Sequence, residues 1–286
     1  MEFADRLDDA IRRKRSVAVL GVDPQLDTKD APGIPKGSTL ARFCCETIEA
    51  CAQSVVAVKP QLAFFEARGV DGMRALAEVL ATARRCGLIS IADAKRGDIG
   101  STAQAYARAY LGDGEFACDA VTANPYLGTD SIAPFLMHIR AGRGVFVIVK
   151  TSNPSSGEIQ DLATAGGPLW EAVARRVHGW GGDFVGKSGL SSVGAVVGAT
   201  YPEHARRARE LMPEEFILAP GYGAQGAGAM DAVAAARSDG RGVIVNSSRG
   251  VMYAYLKSSG VAPAEAAAKA AEEMRVALNG ALGVKG

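Results

Sequence analysis

Apolar and polar positions along this 286-residue chain recur in one order: a short apolar run, a turn, then a stretch with helical spacing. Residues 3–14 open with amphipathic helical spacing and end in Arg12-Arg-Lys-Arg15, a basic cluster suited to a helix C-terminus. Val17-Ala-Val-Leu-Gly-Val-Asp23 reads as a first strand, and a Pro/Gly-rich loop over 24–38 leads to a helix over Thr39–Gln53. Val55-Val-Ala-Val-Lys59 is the second strand, followed by a helix over about 72–86. The third begins as the apolar run Leu88–Ala92 and continues into Asp93 and Lys95, with a helix from Ser101 to Leu111 after it. Asp119–Asn124 precedes a helix over Ser131–Arg140, and Val145–Ser152 precedes a long polar loop and a helix over 168–180. The sixth strand, Val193–Thr200, has its helix at 202–211. Phe216–Gly221 runs into a Gly-rich turn and a helix expected to end near Arg237. Gly242–Arg249 is the eighth strand, and an Ala-rich helix over about 263–279 closes the pattern.

Near-continuous apolar strands alternating with helices imply a parallel sheet covered on both faces. Eight such units favour an α/β fold of the closed (β/α)8 TIM-barrel type over an open doubly wound sheet. No linker-like change in composition interrupts them, so residues 1–286 are expected to form a single barrel domain with an N-terminal helix and a C-terminal Ala-rich helix. In a barrel of this kind the chemistry sits at the C-terminal strand ends. Asp23, Lys59, Asp93, Lys95, Asn124, Lys150, Ser152 and Arg249 all fall there. Side chains alternate along a strand, so Ile89, Ile91, Asp93 and Lys95 share a face, the two charges roughly 6.6 Å apart along the backbone. The same parity aligns Val17, Val19, Gly21 and Asp23, and aligns Val55, Ala57 and Lys59. Inward charges on three neighbouring strands are costly unless paired or used. Asp98 adds a further charge just before Gly100-Ser-Thr102 opens a helix.

The last two units suggest an anion site. Gly221-Tyr-Gly223-Ala-Gln225-Gly226 follows a strand and opens a helix, so backbone N–H groups and a helix N-terminus are expected to converge. Arg249 adds a planar fork of donors suited to a phosphate. The same glycines match the dinucleotide fingerprint, but that reading needs an acid at the end of the next strand, which instead ends Asn246-Ser-Ser. Gly181–Ser188 matches the P-loop pattern letter for letter, yet a helix precedes it and a strand follows, the reverse of what a P-loop requires.

Net charge is +1, which argues against a nucleic-acid or membrane-surface partner. The start Met1-Glu-Phe-Ala-Asp-Arg resembles no secretory signal, and no apolar run approaches a membrane span. Five cysteines without C-x-x-C spacing fit free thiols in a reducing cytoplasm. His138, His178 and His204 fall in helical patterns away from strand ends, so a metal site is not expected.

Asp93-x-Lys95-x-x-Asp98-Ile99 resembles the active-site signature of the orotidine 5′-phosphate decarboxylase family. The likeness extends to Asp23, Lys59, Thr102, the Gly221–Gly226 turn and Arg249. Asn124-Pro-Tyr-Leu-Gly and Lys150-Thr-Ser-Asn-Pro-Ser-Ser-Gly are similar to its longer, bacterial subgroup. The resemblance implies cofactor-free decarboxylation of orotidine 5′-monophosphate to uridine 5′-monophosphate in pyrimidine synthesis, without a metal. It implies that Lys95 protonates C6, that Asp93 lies beside the substrate carboxylate, and that Lys59 holds the network and a ribose hydroxyl. Asp23 would bind ribose, Ser152 the pyrimidine, and Gln225, Arg249 and the glycines Gly221 and Gly223 the phosphate. Asp98 and Thr102 would enter the site of a partner in a homodimer. Two rivals are a Schiff-base aldolase of the same fold, using Lys59, Lys95 or Lys150, and a phospho-ligand binder without turnover.

Overall fold

Strands made almost wholly of Val, Ile, Leu, Ala and Phe have no polar face to turn to water, so they must be covered on both sides. In the computed structural model, which describes residues 1–28, 31–223, 226–258 and 260–284, eight of them close into a barrel. They are β1 (Ala18–Val22), β2 (Ala57–Pro60), β3 (Ile89–Arg96), β4 (Ala120–Ala123), β5 (Gly144–Lys150), β6 (Ser191–Val197), β7 (Glu215–Pro220) and β8 (Val243–Ser247). Every neighbouring pair is parallel, and β1 closes the ring on both sides, Val19 standing against Asn246 of β8 and Ala57 of β2. α1 (Phe3–Lys14) lies across one end, and outside lie α2 (Leu40–Cys51), α3 (Gly69–Arg85), α4 (Gly100–Leu111), α5 (Thr129–Leu136), α6 (Leu169–Gly181), α7 (Pro202–Leu211) and α8 (Pro263–Ala281). Thr39 caps α2, its hydroxyl accepting the Arg42 N–H at 3.2 Å.

Alternation divides each strand between two cores. Ala18, Leu20, Val58, Val121, Val145, Val147, Val243 and Val245 point outward into the packing with the helices. Val19, Ala57, Ile89, Ile91, Ala120, Phe146, Val196, Phe216, Leu218 and Ile244 fill the barrel interior. That interior cluster also holds Phe3, Ala4, Leu7 and Ala10, one face of α1. The first helix therefore plugs the N-terminal end of the barrel. Phe3 meets Phe146 edge-on with ring centroids 6.0 Å apart, and the Ala4 N–H donates to Ser192 Oγ. Gly144 opens β5 directly beside this ring; a Cβ there would stand 2.3 Å from it, so only glycine admits the plug.

Two expected helices are shorter than the pattern suggested. The seventh unit carries only one turn, Ala229–Ala232, rather than a helix reaching Arg237. Beyond it the chain tightens into i→i+3 bonds (Ala234 to Asp231, Ala236 to Val233), and Arg209 Nε takes the Ala235 carbonyl that a continuing helix would use. The helix after β4 stops at Leu136, with Pro134 inside it. His138 thus lies in the following turn instead of in a helix. The P-loop-like string is the end of α6 and a short 3-10 turn, Gly182–Phe184, followed by β6.

Phe3→Ala should lower the unfolding free energy by about 3–5 kcal/mol, the usual cost of emptying a buried aromatic site. Denaturant titration checks this; a loss below about 1 kcal/mol would show that α1 merely rests on the barrel.

Candidate active site

At the C-terminal mouth the interior apolar layers give way to charge. Lys59, at the end of β2, donates to Asp93 Oδ2 at 2.5 Å. Lys95 pairs with Asp93 Oδ1. Gln61 Nε2 adds a third donor to Oδ2 at 3.1 Å, and Thr122 Oγ1 a fourth to Oδ1 at 3.2 Å. A carboxylate has about four lone-pair sites, and here each oxygen has two donors. The side chains of Lys59 and Asp93 are 5% and 8% exposed, that of Lys95 45%. The buried pair is thus structural as well as chemical, while the Lys95 ammonium faces the opening.

Strand alternation alone does not place Lys95. The β3–β4 register shifts between Ala92 and Arg96, and Lys95 takes a left-handed backbone, φ +49°. That conformation costs of order 1–3 kcal/mol for a residue with a Cβ and persists only where its surroundings hold it, commonly at functional sites. Beside it, Arg96 donates to the Ala94 carbonyl, pairs with Glu66 and lies over the rings of Tyr106 and Tyr110.

Burial pushes the Asp93 carboxyl up, but Lys59 and Lys95 overcome it by charge and hydrogen bonding and bring it down to about 2. Lys59 loses by burial and gains more from Asp93 and Asp23, so its ammonium is held above the usual lysine range. Asp23 goes the other way: burial raises it, and the nearby Lys59 only partly offsets that. Its Oδ1 is buried without a hydrogen-bond partner, as is Asn246 Oδ1 on the adjoining strand β8. Gly21 makes this corner possible, because a Cβ there would fall 1.9 Å from Ser248 Oγ.

These groups line one cavity of about 690 Å³, with Gln25, Phe64, Tyr222, Gly221 and Arg249 on its rim and Val196 and Leu218 at its base. Of the expected site residues, Asp23, Lys59, Asp93, Lys95, Gly221 and Arg249 meet there. Gly223 and Ser152 are not in its lining; Ser152 instead packs against Gly198 at the ends of β5 and β6. Asp98 accepts the Ile99 N–H at 2.7 Å and Thr102 is exposed on α4, and neither is in the lining of this chain's own cavity. Gln225 lies outside the described residues. Lys150 is turned aside, paired with Asp161 at 2.7 Å. Asn124 Oδ1 is used locally, accepting the Tyr126 N–H.

The glycine turn differs from expectation in one respect. The Gly223 N–H donates to Ala227 O and the Gly226 N–H to Gly223 O, while the Gly228 N–H is taken by Asp231. Among the described residues of the turn, these three N–H groups are used within it, and only one helical turn follows. Gly221, Gly223 and Gly226 all have positive φ, which is what requires glycine there. Gln61, Thr122, Asn246 and Ser248 were missing from the sequence-based set. Thr122 lies two residues beyond Ala120, and Asn246 two beyond Ile244, so face alternation applied to β4 and β8 would have found both.

A model of the orotidine 5′-phosphate decarboxylase / HUMPS family matches residues 26–269. The chain belongs to this family. Among named decarboxylases of the family, orotidine 5′-phosphate decarboxylase of Rhodopirellula baltica is 45% identical over 270 residues, covering 89% of each chain. That of Deinococcus radiodurans is 42% identical over 285 residues, covering 99% of this chain and 98% of its own. The solved structure of Leishmania donovani OMP decarboxylase is 34% identical, covers 99% of both chains and superposes with a TM-score of 0.80. The barrel and the strand-end charges described above are thus those of a member of the orotidine 5′-phosphate decarboxylase / HUMPS family.

Asp93 and Asp23 should respond oppositely to neutralisation. The folded-state pKa of Asp93 is depressed, so its contribution to stability is present above the ordinary carboxylate range and is lost as pH falls toward about 2. Asp93→Asn strands two ammonium groups and should cost about 3–5 kcal/mol at neutral pH, a deficit that narrows in acid. For Asp23 the folded pKa is raised, so the ionised group costs stability above that value. Asp23→Asn should raise the melting temperature at pH 7 and weaken nucleotide binding. Thermal unfolding at pH 3 and pH 7 reads both, and an Asp93→Asn deficit independent of pH would contradict the paired-carboxylate account.

Proposed function

We propose that this chain decarboxylates orotidine 5′-monophosphate to uridine 5′-monophosphate and CO2, without a cofactor. The observation that carries the reading is Asp93, a buried carboxylate held by Lys59 on one oxygen and Lys95 on the other, with the Lys95 ammonium facing a nucleotide-sized cavity. Asp93 beside the substrate carboxylate sets two anions against each other; their repulsion falls as CO2 leaves. The C6–carboxyl bond breaks with its electron pair left on C6, and Lys95 Nζ stabilises that charge and delivers the proton. Lys95 regains its proton from water through its exposed side.

Asp23 takes a ribose hydroxyl, with Lys59 behind it; Arg249, Gln225 and the backbone at Gly221 take the phosphate, and Ser152 the pyrimidine. Gripping a phosphate remote from the broken bond serves catalysis by holding the reacting end in place. Asp98 and Thr102 complete the site of a partner in a homodimer. Support for a dimer comes from Ile99, Tyr126 and Leu127 beside them, which are 54%, 80% and 50% exposed, an apolar surface at the mouth. Residues 1–286 are read as a single domain, cytoplasmic in keeping with its free cysteines; no described helix is long and apolar enough to cross a membrane.

A Schiff-base aldolase needs a neutral amine. Asp93 and Asp23 hold the Lys59 ammonium above the usual lysine range, and Lys95 and Lys150 are each engaged by a carboxylate instead of standing free to attack a carbonyl. Borohydride reduction with substrate should accordingly leave no covalent adduct.

Loss of orotidine 5′-monophosphate absorbance should proceed in excess chelator, and Lys95→Ala should abolish it while nucleotide binding remains; turnover by Lys95→Ala would remove that lysine from the mechanism. Co-refolding Lys95→Ala with Asp98→Ala should restore part of the activity, since one of the two sites in a mixed dimer would then be intact. No recovery would mean self-contained subunits.

A further inference from the structure

Three residues of β3 crowd against one residue of β4. The ladder pairs Ala92 with Val121 and Arg96 with Ala123, which leaves Asp93, Ala94 and Lys95 opposite Thr122 alone. Extra residues in a bulge lose their ladder partners, and the Lys95 N–H finds a side chain instead: it donates to Thr122 Oγ1 at 2.9 Å. The same hydroxyl lies 3.2 Å from Asp93 Oδ1 and 3.5 Å from the Ala92 carbonyl, and the carboxylate is the nearer, charged acceptor for its proton. One hydrogen and two lone pairs are what a hydroxyl offers, so it can accept from Lys95 and donate to Asp93 together. Thr122 is 1% exposed, and its only proton is engaged by the protein. Gln61 and Lys59 also hold Asp93, but from the other oxygen and from β2 and its following turn, with no bond to the Lys95 backbone.

We propose that Thr122 is a positioning residue for the decarboxylation. Its hydroxyl ties the Asp93 carboxylate to the left-handed backbone of Lys95, fixing the distance between the group that repels the substrate carboxylate and the group that delivers the proton. The inference rests on the roles assigned above to Asp93 and Lys95. Thr122 touches neither reacting atom. It acts through the two residues that do.

Thr122→Val keeps the β-branched shape and deletes the hydroxyl; Thr122→Ser keeps the hydroxyl and deletes the methyl. With both bonds gone, kcat of the Val variant should fall by about tenfold to a hundredfold, while KM and the affinity for uridine 5′-monophosphate stay within about twofold, the signature of an interaction that matters in the transition state. The Ser variant should recover kcat to within about threefold of the parent. Thr122→Ala repeats the hydroxyl deletion without an added methyl, should the Val variant fail to fold by circular dichroism. Parental kcat in the deletion variants would overturn the proposal. So would a rise in KM at constant kcat, which marks a substrate contact, or a Ser variant no better than Val, which marks methyl packing. Lys95→Ala assayed alongside separates the two levels: if it is inactive and Thr122→Val is not, only the role of Thr122 falls. If Lys95→Ala turns over, the assignment of Lys95 falls first.

Discussion

One carboxylate between two ammonium groups organises the mouth of this barrel. Asp93 lies too deep to be solvated by water, so it persists as an anion only because the protein supplies its solvation, two donors to each oxygen. Those donors come from β2, β3, β4 and the turn after β2, and no single strand could furnish them. The closed parallel sheet is what brings three strand-borne groups and one from a turn to one point with little freedom to rearrange. A preorganised charge of this kind acts without waiting for solvent to reorient, which is where electrostatic catalysis gains most.

The surrounding groups are less content. Asp23 is buried with an oxygen lacking a partner, Asn246 likewise, and Lys95 holds a left-handed backbone. Each costs stability that the barrel must recover elsewhere, and the apolar interior sealed by α1 is the obvious reservoir. Rigid core and strained mouth belong to one design: sites built for a reaction are rarely optimised for folding.

Much of this was legible in the residues. Eight apolar runs separated by helical spacing carry the parallel barrel, because a strand buried on both faces has no other way to look. Asp23, Lys59 and Asp93 were placed by parity and by their position at strand ends. Lys95 was placed for an incomplete reason: the bulge opposite Thr122, not alternation, sets its backbone, and a bulge leaves no period in a sequence. The reach of the helix in the seventh unit was misjudged because Arg209, distant in sequence, captures the Ala235 carbonyl. The glycine turn was read as a row of free donors, whereas the N–H groups of Gly223, Gly226 and Gly228 are spent on the turn itself. Local pattern reports which face is apolar; it does not report which distant donor arrives to claim a backbone group.

The plug formed by Phe3, Leu7 and their neighbours has a kinetic side. With the floor filled by side chains, the described residues leave the cavity one neck, at the strand-end mouth. Substrate nucleotide, product nucleotide and the departing gas all share it. Turnover therefore has an inherent order of traffic: CO2 must slip past the nucleotide or wait for it, and any segment that narrows the neck governs both exits at once.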